Sequence, residues 1–245
     1  MVIVQADPET RFGQGLEDDA FEFEELFFCH AISFPLFVKN LKPAAAGRGG
    51  LTVNHAIVDQ TACRFPAFVR PRDGFTYAND LVSFIRQRGY PLCVIGAGHP
   101  EGHPECRDLD RSIAHLKAKV DAGLDAVITQ LFYDNRDYFA FVERARRAGI
   151  TVPIVAGIMP ITNWPQIERI TQLSGNAIPA GLRSALERVR DDDEGCLEVG
   201  VEYATRQCAE LLRAGVPGIH FYTLNKSPAT RAIFENLRRE GLVGA

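Results

Sequence analysis

Two histidines, His99 and His103, stand with Pro100, Glu101, Pro104, Glu105 and Cys106 directly after the apolar run Val94-Ile95-Gly96-Ala97. With Cys106 nearby, the pair suggests a zinc ligand set. Helical His-x-x-x-His ligation needs a continuous helix, however, and Pro100 and Pro104 forbid one. A fourth ligand at a suitable spacing is missing, so no metal is expected. A proline-stiffened loop that offers neutral imidazole and backbone donors to an anionic or aromatic cofactor is the better functional reading. A rigid loop with exposed imidazoles is the structural alternative.

Gln130 interrupts the apolar stretch Val127 to Phe132. A buried amide left unsatisfied would cost about 1–3 kcal/mol, so it must bond something. The partner is either a neighbouring strand's side chain or a heteroaromatic ring to which Gln130 gives both donor and acceptor. Tyr222-Thr223-Leu224-Asn225-Lys226 is a third polar cluster after an apolar run. Lys226 could meet a carboxylate as a point charge, or simply be solvated.

These clusters share a position: each follows a short apolar run and precedes a helical pattern. Strands are expected over Pro91 to Ala97, Ala126 to Phe132, Val152 to Ile158 and Gly218 to Tyr222. Helices are expected over Tyr77 to Arg88, from Asp108 or Asp110 to Gly123, and over Asp137 to Ala148. Asn163 should cap another, and two more should run from Ile178 to Arg190 and from Glu194 to Ala214. The last should follow Ser227 as cap, with Pro228 behind it. The run Asp191-Asp192-Asp193 reads as a solvated turn and helix start. Such alternation marks a β/α fold, in which chemistry collects where parallel strands end.

The net charge of −4 gives no basic stripe for nucleic acid. No apolar run approaches the roughly 20 residues of a membrane span. The start, Met1 to Asp7, lacks the basic flank and apolar length of a signal peptide, so a cytoplasmic protein is expected. The six cysteines form no CxxC pair and are read as buried free thiols, Cys93 in a strand and Cys208 on a helix. Residues 1–75 break the rhythm: 21–28 mix apolar and acidic side chains, and 43–50 read as loop.

Five segments in order resemble the methylenetetrahydrofolate reductase family. They are Gly74 to Val82, His99 to Glu105, Lys117 to Asp134, Pro153 to Ile161 and His220 to Asn225. The resemblance implies a TIM-type (β/α)8 barrel that holds FAD at the strand C-termini. It implies hydride transfer from NADPH or NADH to flavin, and from flavin to methylenetetrahydrofolate, in one-carbon metabolism and methionine biosynthesis. Carried over by position, the cofactor contacts are Tyr77, Ala78, His99, His103, Pro104, Glu105, Cys106, Ser112, His115 and Lys119. The folate contacts are Gln130, Gln166, Tyr222 and Lys226.

Four positions depart from the family's pattern. His99 replaces tyrosine, Ser112 aspartate, Lys226 arginine, and Ile170 an aromatic residue. Upstream, Phe21-Glu22-Phe23 echoes the first strand, whose glutamate is the family's general acid, which makes Glu22 the catalytic candidate. Val2 to Pro8 echoes the fourth strand's Leu-Arg-Gly-Asp-Pro. A complete barrel needs roughly 250 residues, about 30 for each strand–helix unit. Residues 76–245 therefore hold the later strands, and the barrel is expected to be incomplete, with the first three or four missing or replaced. Two kinds of protein fit: a reductase acting as a homo-oligomer or with a full-length reductase, or a truncated relative without catalysis that binds flavin or an intact subunit.

Overall fold

The computed structural model describes residues 2–6, 55–58, 75, 77–90, 92–103, 106–223 and 227–244. Glu22, Pro104, Glu105 and Lys226, the loop expected over residues 43–50, and Cys29 and Cys63 lie outside the described residues. Strands β1 (Val2–Ala6) and β2 (His55–Val58) precede a regular alternation. It runs α1 (Ala78–Gln87), β3 (Leu92–Gly98), α2 (Leu109–Asp121), β4 (Ala126–Thr129), α3 (Asn135–Arg147) and β5 (Ile154–Ile158). Then come α4 (Trp164–Ser174), α5 (Ala180–Glu187), α6 (Asp193–Arg213), β6 (Ile219–Phe221) and α7 (Pro228–Arg239).

Side-chain caps set most of the helix starts. Asp108 opens α2 by accepting from the amides of Asp110 and Arg111. Asp134 opens α3 by accepting from Arg136 N at 2.9 Å, so this helix begins two residues before the expected Asp137. Asn163 caps α4 and Asp192 caps α6. Ser227 does not cap α7: its backbone is already helical (φ −95, ψ −17) and its hydroxyl makes no cap bond. Pro228 opens that helix instead, its fixed φ suiting the first turn. β4 stops at Thr129, short of the expected Phe132, because the Gln130 side chain takes the next amide, Leu131 N, at 3.1 Å.

The strand order is β2-β1-β3-β4-β5-β6. β3 to β6 are parallel and adjacent in chain order, and the order never reverses. With right-handed crossovers, that arrangement puts the connecting helices on a single face of the sheet. Packing agrees. Val127, Ile154, Ala156, Ile158 and Ile219 share one buried cluster with residues of α2, α3, α6 and α7. The alternate residues Ile95, Ala126, Ile128 and Val155 form a second cluster on the opposite face, with Tyr222 packed on it.

β1 sits beside β3 where a preceding barrel strand would lie, but it is antiparallel, Val2 pairing with Gly96 and Ala6 with Leu92. The chain thus leaves β1 at the start of β3, the end opposite the His99 loop. A fourth barrel strand would leave at the same end as β3, so the echo of that strand in residues 2–8 does not survive the topology. Cys93 is exposed at the start of β3 rather than buried, whereas Cys196 and Cys208 are buried as expected. Among the described residues, no helix is long and apolar enough to cross a membrane.

Candidate functional site at the C-terminal ends of the parallel strands

The polar clusters come together where β3 to β6 end. Gln130 N donates to Gly98 O at 2.7 Å, so the residue after β4 is bonded to the last residue of β3, one position before His99. The loop after His99 opens with a tight turn, Gly102 N donating to His99 O at 3.0 Å, and Cys106 N donates to His103 O at 2.8 Å. Gly102 has φ +86, a conformation that side chains with a Cβ rarely adopt. This folding brings the His99 and His103 rings edge to face, 4.7 Å between centroids.

Lys119 reaches the same place from α2. Its Nζ donates to Ala97 O at 2.8 Å. Carbonyls alternate sides along a strand, and Gly98 O already points to β4, so Ala97 O points to the other edge, past the last β1 pair at Gly96. Lys119 satisfies that edge oxygen. Burial lowers its pKa from the ordinary 10.5 to about 8, although part of the residue stays exposed. Burial chiefly, then Lys119 and His103, hold His99 well below the ordinary histidine range, so it is neutral at physiological pH. A neutral imidazole can stack on, or hydrogen-bond, an uncharged ring.

The expected folate side lies on neighbouring strand ends. The Gln130 side chain is half-buried, its oxygen accepting from Leu131 N. Tyr222, just after β6, crosses β5 and donates to Thr129 O at 2.8 Å. Gln166 stands in the first turn of α4, where its oxygen accepts from the amide and the hydroxyl of Thr162. Thus Gln166 fixes the loop after β5 with the same atom that could have met a ligand.

The remaining expected contacts are spread more widely. Tyr77 is 62% exposed at the N-terminus of α1, its amide donating to Asp80 Oδ2 at 2.9 Å. α1 runs back along β3, since Arg86 near its end bonds Leu92 O at the strand's start, so Tyr77 is directed toward the His99 end. Ala78 is in the core with Val82, Ile85, Val94 and Leu124, which leaves only its backbone for a ligand. Ser112 is half-buried and His115 exposed, in a row with Lys119 along α2. Cys106 is partly exposed, its Sγ 3.7 Å from Asp108 O. Ile170 packs beside the cluster of Leu131, Met159 and Trp164. Among the described residues no group of three or more His, Cys, Asp or Glu is arranged to hold a metal ion.

Sequence reasoning missed Glu101 and Asn176. Glu101 accepts from Asn176 Nδ2 at 2.6 Å and from Ala177 N at 2.8 Å. Asn176 Nδ2 also donates to Leu131 O at 2.9 Å. Nothing local ties residue 101 to residue 176; the only hint was a carboxylate between two prolines.

The family model described as methylenetetrahydrofolate reductase matches residues 64–238. The chain is 45% identical over 165 residues to methylenetetrahydrofolate reductase 1 of Schizosaccharomyces pombe, covering 67% of this chain and 27% of that protein. It is 40% identical over 180 residues to methylenetetrahydrofolate reductase (NADH) 1 of Arabidopsis thaliana, covering 69% and 30%. Against 5,10-methylenetetrahydrofolate reductase of Escherichia coli the values are 36% over 162 residues, covering 66% and 54%. The chain therefore spans between about a quarter and a half of the length of these curated relatives. A solved structure of a Clostridium thermocellum protein, described as binding two copies of 5-methyl-5,6,7,8-tetrahydrofolic acid, aligns with a TM-score of 0.47 at 17% identity, covering 67% of this chain and 59% of that one.

Proposed function

Because the chain belongs to the methylenetetrahydrofolate reductase family, we propose that it takes part in flavin-dependent reduction of methylenetetrahydrofolate to methyltetrahydrofolate. NADH or NADPH is the electron donor, and the setting is cytoplasmic one-carbon metabolism that supplies methionine. In this reading the four parallel strands are an arc of a TIM-type barrel, residues 76–245 form its later half, and the chain works as a homo-oligomer or beside a full-length reductase.

The observation that carries the reading is the bond between Gln130 N and Gly98 O. It sets the residue expected to hold the folate ring beside the loop expected to hold the flavin, and hydride transfer requires the two rings in contact. The donor set suits a flavin. His99 is neutral and can lie against an uncharged ring, His103 abuts it, and the weakly basic Lys119 can meet a ribityl oxygen or a phosphate. FAD, when bound, supplies the site that accepts a hydride from nicotinamide and returns it to the folate. Gln130 would orient the pterin through its amide, and Tyr222 would close the far side of the folate site.

The test is direct. Full-length purified protein should be yellow, release FAD on denaturation, oxidise NADPH or NADH with menadione as acceptor, and oxidise it with methylenetetrahydrofolate. Cooperatively folded protein that stays colourless when incubated with FAD refutes the reading.

A further inference from the structure

We propose that Glu101 is a positioning residue, resting on the function proposed above: its carboxylate fixes the cofactor loop in register with Gln130 through Asn176. The loop from His99 to His103 is rooted at Gly98, where Gln130 N supplies a main-chain tie to the end of β4. Glu101 adds a tie far from that root. One carboxylate oxygen takes Asn176 Nδ2 and the other takes Ala177 N, so the loop is bound to the segment between α4 and α5.

Asn176 extends the connection to the folate side. It is buried, 9% exposed, and its Nδ2 bonds both Glu101 and Leu131 O. Leu131 N in turn donates to the Gln130 side-chain oxygen. Leu131 is therefore held at its carbonyl by Asn176 and at its amide by the Gln130 side chain. Together with the bond at Gly98, this closes a ring that runs from the histidine loop through Glu101, Asn176, Leu131 and Gln130 and back to β3. Only a carboxylate serves at position 101. A glutamine has one acceptor oxygen, and its amide would set a donor against a donor.

The experiment uses the FAD-loaded full chain. Wild type, Glu101→Gln, Asn176→Ala and the double variant are followed by stopped-flow flavin absorbance, bleached by NADPH or NADH and restored by methylenetetrahydrofolate. Each single variant should slow the folate half-reaction about tenfold or more, because a small misplacement of reacting groups is costly. The double variant should be no slower than the singles, as members of one network are not additive. Bleaching by nicotinamide should slow several-fold less than the folate half-reaction, whereas a merely structural role would slow both alike. Exchange of the Ala177 amide proton should quicken in Glu101→Gln. Equal loss in both half-reactions, multiplicative losses, or a folate half-reaction of wild-type speed overturns the assignment. If Glu101→Gln fails to fold, Asn176→Ala must give the same split alone, or the assignment falls. A wild type without flavin or turnover instead overturns the proposed function, and the assignment with it.

Discussion

The Tyr222 hydroxyl donates to Thr129 O at 2.8 Å, reaching from the end of β6 past β5 to β4. Gly157 on β5 lets it pass: a Cβ there would lie 2.8 Å from the Tyr222 ring and 2.0 Å from Thr129 O. Thr129 returns the connection, its hydroxyl accepting from Gly157 N at 2.9 Å. Three strand ends are thus locked one residue before Gln130.

Tyr222→Phe should cost about 0.5–1.5 kcal/mol, the net value of one such bond, with an unchanged denaturant m-value. Gly157→Ala should cost more, about 1–3 kcal/mol, because the obstructing atom is a backbone oxygen that cannot swing aside. Urea unfolding of the two variants ranks them. An alanine variant as stable as wild type would mean that the strands do not approach this closely.

Lys119 makes stability depend on alkaline pH. Its folded-state pKa of about 8 lies below the ordinary 10.5, so between these values the unfolded chain holds a proton that the folded chain has released. Stability contributed by this group therefore rises with pH across that window, and its cost is fully present below about 8. Lys119→Met should remove the rise. The difference between wild-type and variant unfolding free energies, measured from pH 7.5 to 10, should grow with pH, and a flat difference contradicts the burial of this ammonium.

His99 acts at the acid end. Its folded-state pKa is well below 6.5, so below that value the unfolded chain binds a proton that the folded chain refuses. Its contribution to stability is present above 6.5 and declines as pH falls through it. Nuclear magnetic resonance titration should find the His99 ring still neutral well below pH 6.5, and His99→Gln should show a shallower acid loss of stability. A ring that protonates near 6.5 would place His99 in open water.

Gln130→Ala should impair the folate half-reaction far more than flavin reduction by nicotinamide. Gln130 lends its backbone to β3 and, among the described residues, its side chain only to the neighbouring amide, so truncation leaves the strand-end bond intact. Equal loss in the two half-reactions would make Gln130 structural only.

The parallel strands and the helices after residue 76 were legible in the sequence because their determinants are local. Apolar runs, Asp and Asn caps, and glycine stops act over a few residues, and Asp108, Asn163 and Asp192 do what their positions suggested. The motifs also placed His99, His103 and Gln130 at strand ends. What they could not give was contact between elements far apart in the chain. The Glu101 carboxylate meets residues 75 and 76 positions downstream, Tyr222 meets one 93 positions upstream, and the Lys119 ammonium loses its hydration only when α2 packs beside β3. Nor could the sequence fix the direction of β1, since a short apolar strand pairs either way and its neighbour decides. Local chemistry wrote the elements, and burial between distant segments decided which groups became neutral, bridged or aligned.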